Sequence, residues 1–121
     1  MCEIRNTAAK GAPKAYTVSR YTLDPLSLGI PRCSLEDLKG GSPAQNVLEL
    51  RAVLAAGDDG STNAKRDSVV LNAGMGLYVY GTAASIAEGV ALARRGLDAG
   101  KAAAQLDLFV QTSQSIKAAL L

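Results

Sequence analysis

The sequence of 121 residues has room for one domain, and its 48% hydrophobic and 20% charged residues are an ordinary globular balance. The net charge of +2 supplies no basic surface for a polyanion, so we do not expect a nucleic acid partner. The chain has no histidine, and its two cysteines, Cys2 and Cys33, do not form a C-x-x-C pair, which argues against a zinc site.

Neither a secretory signal nor a membrane span is evident. Residues 1–14 lack the apolar core of a signal peptide, and the longest nearly apolar run, residues 68–80, is too short to cross a bilayer. We therefore expect a soluble protein of the cytoplasm without a membrane partner, or of the plastid if the source is a photosynthetic eukaryote. A reducing compartment favours two free thiols over a disulfide between the cysteines, although the sequence leaves the disulfide open.

The one extended stretch covers residues 4–23. Tyr16 and Val18 stand among Thr and Ser, which are residue types suited to a half-buried strand, and the Gly-Ala-Pro run at 11–13 provides a turn. The Asp-Pro pair at 24–25 ends the stretch because proline lacks a donor for a sheet. The pattern predicts a β-hairpin, or one strand that enters a sheet from a loop.

Capping signals then mark a short turn and a first helix. Ser34 and Asp37 have the spacing of a capped turn, which the glycines at 40–41 end. Ser42 is the predicted N-cap of the helix, with Pro43 at its first position and Gln45 completing a capping box. This helix is predicted to end at Gly57, and residues 58–63, DDGSTN, to form a surface loop.

The next segment, SVVLNAGMGLYVY, is apolar on nearly every side. Periodicity alone does not separate a buried helix from a long buried strand, but the length favours a helix from about Lys65 to Tyr80. Gly74 and Gly76 would each cost a helix about 1 kcal/mol relative to alanine. We therefore expect another backbone to pack closely at both glycines.

Two more helices complete the predicted architecture of a strand or hairpin followed by four helices. Ser85 and Glu88 form a predicted capping box, and Gly100 ends that helix. Its predicted buried stripe consists of Ile86, Val90, Ala93 and Leu97. The last helix begins at about Lys101.

Polar residues that could carry chemistry have simpler structural interpretations. The carboxylates of Glu36 and Asp37 are favoured as a helix cap, and Asp58 and Asp59 as loop residues. Cys33 is favoured as a small buried hydrophobe, since no base is available to pair with it.

Amides and glycines are interpreted in the same way. Asn46 and Asn72, inside apolar helices, are expected to bond to a neighbouring loop or helix. The segment LKGGSPAQN could bind a phosphate, but we favour a structural role, in which its residues end one turn and begin the next helix. No catalytic residue and no residue binding an organic cofactor is assigned.

Three segments carry a resemblance to a known family. LGIPRCSLEDLKGGSPAQNVLELRAVL, DSVVLNAGMGLYVYG and EGVALARRGLDAGKAAAQLD resemble the C-terminal part of anthranilate phosphoribosyltransferase, over roughly residues 21–108. The resemblance implies an α/β fold of the phosphoribosyltransferase and nucleoside phosphorylase type. Residues 1–121 would form the C-terminal, mostly helical part of that domain, with residues 1–24 extended or hairpin and residues 34–118 helical.

The resemblance also implies an activity. The family transfers a 5-phosphoribosyl group from phosphoribosyl pyrophosphate to anthranilate in tryptophan biosynthesis, with magnesium as cofactor. Met1-Cys2-Glu3-Ile4 resembles the family's G-L-D-E-I, whose acidic pair holds magnesium, so Glu3 is the implied metal ligand and Cys2 stands where the aspartate belongs. The thiol is a poor ligand for so hard a cation.

Other family segments have no counterpart here, namely the glycine-rich G-T-G-G-D loop and the K-H-G-N-R segment. We therefore expect an incomplete chain that is inactive alone. A non-enzymatic helical remnant or interaction module is the alternative, and a related phosphorylase or phosphoribosyltransferase of the same fold is a third reading. Missing neighbours should leave Val70, Leu71, Leu77 and Tyr78 at the edges of an exposed apolar patch, so we also expect self-association.

Overall fold

A computed structural model describes residues 1–55, 57 and 63–120. Within them the chain forms a two-stranded hairpin, two short 3-10 turns and four α-helices. The strands are β1, Cys2–Asn6, and β2, Tyr16–Arg20, and the turns are Pro25–Leu28 and Glu36–Leu38. The helices are α1, Pro43–Leu54; α2, Ala64–Tyr80; α3, Ile86–Asp98; and α4, Lys101–Ala119. The predicted α/β class, with a hairpin before four helices, is confirmed.

The hairpin resolves the first alternative that the sequence left open. β1 and β2 are antiparallel, and their register runs from Cys2 opposite Arg20 to Asn6 opposite Tyr16. The Asn6 carboxamide oxygen closes the connecting loop, since it accepts hydrogen bonds from the backbone N–H groups of Ala8 (3.1 Å) and Ala15 (3.3 Å). This short polar side chain thus adds to the backbone bond from the Thr7 N–H to the Ala15 carbonyl (2.7 Å) at the same end of the hairpin.

Local capping chemistry places the start of α1 as predicted. The Gln45 N–H donates to Ser42 Oγ at 3.4 Å, and Gln45 Oε1 accepts from the Ser42 N–H at 2.8 Å, which is a complete capping box. The predicted end at Gly57 is wrong, because α1 stops at Leu54 and Ala55 is already extended. The Arg66 guanidinium accounts for this early end, since it binds carbonyl oxygens at the end of the helix. Residues 58–62 of the predicted loop lie outside the described residues.

Helices α2 and α3 cross at a pair of glycines. A Cβ atom on Gly74 would lie 2.5 Å from the Val90 nitrogen, and one on Gly89 would lie 2.1 Å from the Gly74 carbonyl oxygen. The expected close backbone is therefore confirmed at Gly74. It is wrong at Gly76, where an added Cβ would meet nothing within 4 Å. Two residues along a helix turn about 200° around its axis, so α3 covers only one of the two glycines.

The core of the described residues is small and lies between α2 and α3. It consists of Ile30, Val70, Val90 and Leu97, with Ile86 and Ala93 packed against it. The predicted stripe of α3 is thereby confirmed. Its N-terminal box is only half formed, because Glu88 Oε2 accepts from the Ala84 N–H at 2.7 Å while the Glu88 N–H donates to Ser85 Oγ at 3.1 Å.

The prediction of which residues border an exposed apolar patch is wrong. Val70 is 1% exposed and Leu71, Leu77 and Tyr78 are half-buried, because the turn before α1 and helix α3 cover these sides of α2. Apolar surface is exposed elsewhere, at the end of α2 and on α1 and α4. The most exposed of these large side chains are Leu48, Val79, Tyr80, Phe109 and Leu120.

Two further expectations, for Cys33 and Asn72, need correction. Cys33 is exposed rather than buried, because residues 31–41 form an open segment with every residue exposed; both cysteines are free. Asn46 and Asn72 are also exposed. Asn46 does bond to a neighbouring loop, at the Gly41 N–H (2.8 Å) and carbonyl (3.1 Å), but Asn72 donates to Ser68 of its own helix at 2.8 Å.

Over the residues described above, none of the helices has the length and apolar character that a bilayer span requires.

A candidate carboxylate site between the hairpin and the second helix

Glu3 is the point at which the hairpin meets the helices. Every residue of both strands is exposed apart from Glu3, whose side chain is only 21% exposed. Strand alternation explains the position, because residues 1, 3 and 5 of an extended chain share a face and residues 2 and 4 point the other way. The sequence-predicted metal ligand is therefore directed at α2, whereas Cys2 is exposed.

Three side chains surround the Glu3 carboxylate. The Tyr78 hydroxyl, on α2, donates to Oε1 at 2.9 Å, and the Tyr21 hydroxyl, just after β2, donates to Oε2 at 3.4 Å. Arg5 Nε donates to Oε1 and forms an ion pair with it. A carboxylate with donors on both oxygens is well satisfied without any other ligand.

The electrostatics of the site follow from these contacts. Partial desolvation, and then the negative charge of Glu3, raise the pKa of the Tyr21 phenol above its ordinary value, so that this group stays a donor. The Arg5 guanidinium lies 5.6 Å from the centre of the Tyr78 ring, which is within cation–π range. The charges of Glu3 and Arg5 offset each other, and the cluster as a whole is neutral.

An open cavity of about 570 Å³ adjoins the carboxylate. Its apolar wall comes from Met75, Val79 and Ile86 on the helices, and its polar wall from the cluster around Glu3. The hairpin and α2 are thus separated by open space beside the Glu3 contact.

The residues of this site do not fit a magnesium ion. Mg²⁺ requires a nearly octahedral shell of oxygen ligands, whereas the Glu3 oxygens already hold three donors and a guanidinium group stands beside them. Across residues 1–55, 57 and 63–120, no three His, Cys, Asp or Glu side chains gather into a metal-binding group. Glu3 as a magnesium ligand stays a prediction from the resemblance.

Among the other candidate residues, Asp37 serves in a cap, whereas Glu36 forms an exposed ion pair with Lys39 at 3.3 Å. The Ser34 N–H and hydroxyl each donate to Asp37 Oδ2 at 2.8 Å, and these bonds hold the pKa of the Asp37 carboxyl below its usual value. In the possible phosphate cradle, the N–H groups of Gly41 and Ser42 are already bonded to Asn46 and Gln45. The predicted structural role of this segment, which ends one turn and begins the next helix, is thus confirmed. Asp58 and Asp59 lie outside the described residues.

Sequence reasoning missed the partners of Glu3. Arg5 could have been found, since residues 3 and 5 of a strand share a face. Tyr78 is 75 positions away, and no local pattern links it to the hairpin.

The chain is similar to a known family over most of its length. Residues 4–103 match the model of the glycosyl transferase family, a/b domain. A protein named anthranilate phosphoribosyltransferase from Methylorubrum extorquens strain PA1 is 47% identical over 95 residues, which are 78% of this chain and 27% of that protein. One of the same name from Methanobrevibacter smithii is 38% identical over 115 residues, or 95% of this chain and 30% of that protein.

No solved structure matches the chain. The chain spans between a quarter and a third of the length of these relatives. The resemblance drawn from the motifs is thereby confirmed. Because the family model covers most of its length, the chain belongs to the glycosyl transferase family, in its a/b domain.

Proposed function

We propose that the chain is the C-terminal part of an anthranilate phosphoribosyltransferase, which joins the 5-phosphoribosyl group of phosphoribosyl pyrophosphate to the amine of anthranilate. The observation that carries the proposal is the match of 78–95% of this chain to relatives of that name, at 38–47% identity. Residues 1–121 would then form the end of the α/β domain, in the cytoplasm.

The contribution of these residues to the reaction is structural. The capped segment from Ser34 to Ser42 fixes the start of α1, and the crossing of α2 and α3 supplies a rigid pair of helices. Transfer by such enzymes depends on positioning two substrates and on stabilising charge on the departing pyrophosphate. We expect magnesium to act in the complete enzyme, but Glu3 and its neighbours do not fit the ion.

Fragment complementation tests the proposal. The M. extorquens relative would be expressed without the segment that matches this chain, alone or together with the chain. Anthranilate fluorescence would be followed with phosphoribosyl pyrophosphate and magnesium. Loss of fluorescence only when both pieces are present would support the proposal. The relative split at the same boundary and recombined with its own piece is the matched control.

The alternative is a helical module without catalytic function. Cys2 favours it, since the resemblance places this residue where the family has an aspartate, as does the hydrogen-bonded carboxylate of Glu3. If the relative's own piece restores transfer and this chain does not, the module reading is preferred and the enzymatic proposal fails for this chain.

A further inference from the structure

Among the residues that the structure describes, the strands of the hairpin have little apolar attachment to the helices. Ile4 and Val18, opposite each other in the register, are 66% and 57% exposed. The cavity beside Glu3 further shows that α2 does not pack flat against β1. Because an isolated two-stranded hairpin is marginal in water, something else must hold this one in place.

We infer that Glu3 fastens the hairpin to α2 in this chain and is not a metal ligand. We call Glu3, Arg5, Tyr21 and Tyr78 the Glu3 clasp. Tyr78 is its only member on a helix, so the bond from its hydroxyl to Glu3 Oε1 (2.9 Å) joins the two parts of the molecule. Arg5 reinforces this bond from the strand, through its ion pair with Glu3 and its position over the Tyr78 ring.

Metal binding and the clasp exclude each other at this carboxylate. Magnesium at Oε1 would have to displace the Tyr78 hydroxyl and stand beside the Arg5 guanidinium, whose like charge repels it. Magnesium at Oε2, which the Tyr21 hydroxyl contacts at 3.4 Å, would find no cluster of further Asp or Glu side chains within the described residues to complete its shell. Cys2, next to Glu3 in the chain, offers an exposed thiol, which is a poor ligand for so hard a cation.

The clasp gives Tyr78 a positioning role that removal of one atom can test. In Tyr78→Phe the ring beneath the Arg5 guanidinium is kept, while the donor to Glu3 is lost. Tyr80→Phe is the matched control, because Tyr80 lies on the same helix and is 88% exposed. Neither change creates a cavity, so the helical core should remain intact.

Hydrogen exchange of the 121-residue chain, read by mass spectrometry on peptides from the hairpin and from α3, measures the attachment. Tyr78→Phe should speed exchange in the hairpin about tenfold, because a hydrogen bond to a charged acceptor is among the stronger ones. Exchange in α3 should be unchanged, and Tyr80→Phe should match the parent chain. Unchanged hairpin exchange in Tyr78→Phe, or an equal rise in α3, would overturn the inference.

A second arm uses magnesium chloride as the probe, at millimolar concentration. The rate of hydrogen exchange in the hairpin of the parent chain should be the same with and without the salt. If magnesium slows exchange in the parent chain but not in Glu3→Gln, then Glu3 binds the ion and the inference is wrong. This outcome is independent of whether the chain complements the trimmed relative.

Discussion

Arg66 should be the most important single charged residue for the stability of this chain. Its guanidinium, only 14% exposed, donates to the carbonyl oxygens of Val53 (2.7 Å) and Ala55 (2.9 Å) at the end of α1. It also donates to the Gly57 carbonyl at 3.2 Å and to the Asp98 carboxylate at 2.8 Å, at the end of α3. One planar group thus joins α1, α2 and α3.

Arg66→Met keeps most of the aliphatic stem and removes all four bonds. Hydrogen bonds with a charged partner contribute about 1.5–3 kcal/mol each, but water partly replaces them at half-open carbonyls. We therefore expect a loss of about 3 kcal/mol in the free energy of unfolding, close to the cost of breaking a buried ion pair. Arg66→Lys should recover only part of this, because an ammonium cannot form the same planar fork.

Urea unfolding followed by circular dichroism measures the loss. The matched control is Arg51→Met, which removes the ion pair with Asp107 (3.1 Å), where both side chains are more than half exposed. Such an exposed pair contributes about 0–1 kcal/mol. An Arg66→Met loss no larger than that of Arg51→Met would refute the reasoning, because the four bonds of Arg66 would then have no net value.

Three further predictions concern packing, capping and exposed surface. Gly89→Ala should lower the free energy of unfolding by about 3 kcal/mol, because its Cβ would lie 2.1 Å from the carbonyl oxygen of Gly74. Gly76→Ala, measured by the same thermal or urea unfolding, should be neutral or stabilising. Equal losses in the two variants would contradict the crossing of α2 and α3 at Gly89. Ser42→Ala should lower stability by about 1 kcal/mol, and an unchanged urea midpoint would mean that the cap has no net effect. The chain alone should self-associate and bind a hydrophobic dye, since Val79 and Tyr80 are 82% and 88% exposed; a monodisperse monomer in light scattering would contradict this.

Features with short-range causes could be predicted from the sequence. The capping box at Ser42 and the reciprocal bonds of Ser34 and Asp37 depend on residues three positions apart. The stripe of α3 depends on helical periodicity, which is equally local. These signals establish where helices begin and which side of α3 is buried.

Features that depend on distant contacts could not be predicted. The end of α1 is set by Arg66, which belongs to the next helix. Close packing at Gly74 but not at Gly76 depends on where α3 crosses α2. The hydrogen bond from Tyr78 to Glu3 joins residues 75 positions apart, so the motif around Glu3 could not reveal it.

The central claim is that this chain is part of an anthranilate phosphoribosyltransferase, and complementation of the trimmed M. extorquens relative tests it most directly. The chain alone should consume no anthranilate above the buffer rate, since segments that bind the substrates have no counterpart in it. With the trimmed relative it should restore phosphoribosyl transfer, and Gly89→Ala should reduce the restored rate. Transfer by the chain alone, or no transfer with the trimmed relative while the relative's own piece restores it, would contradict the account.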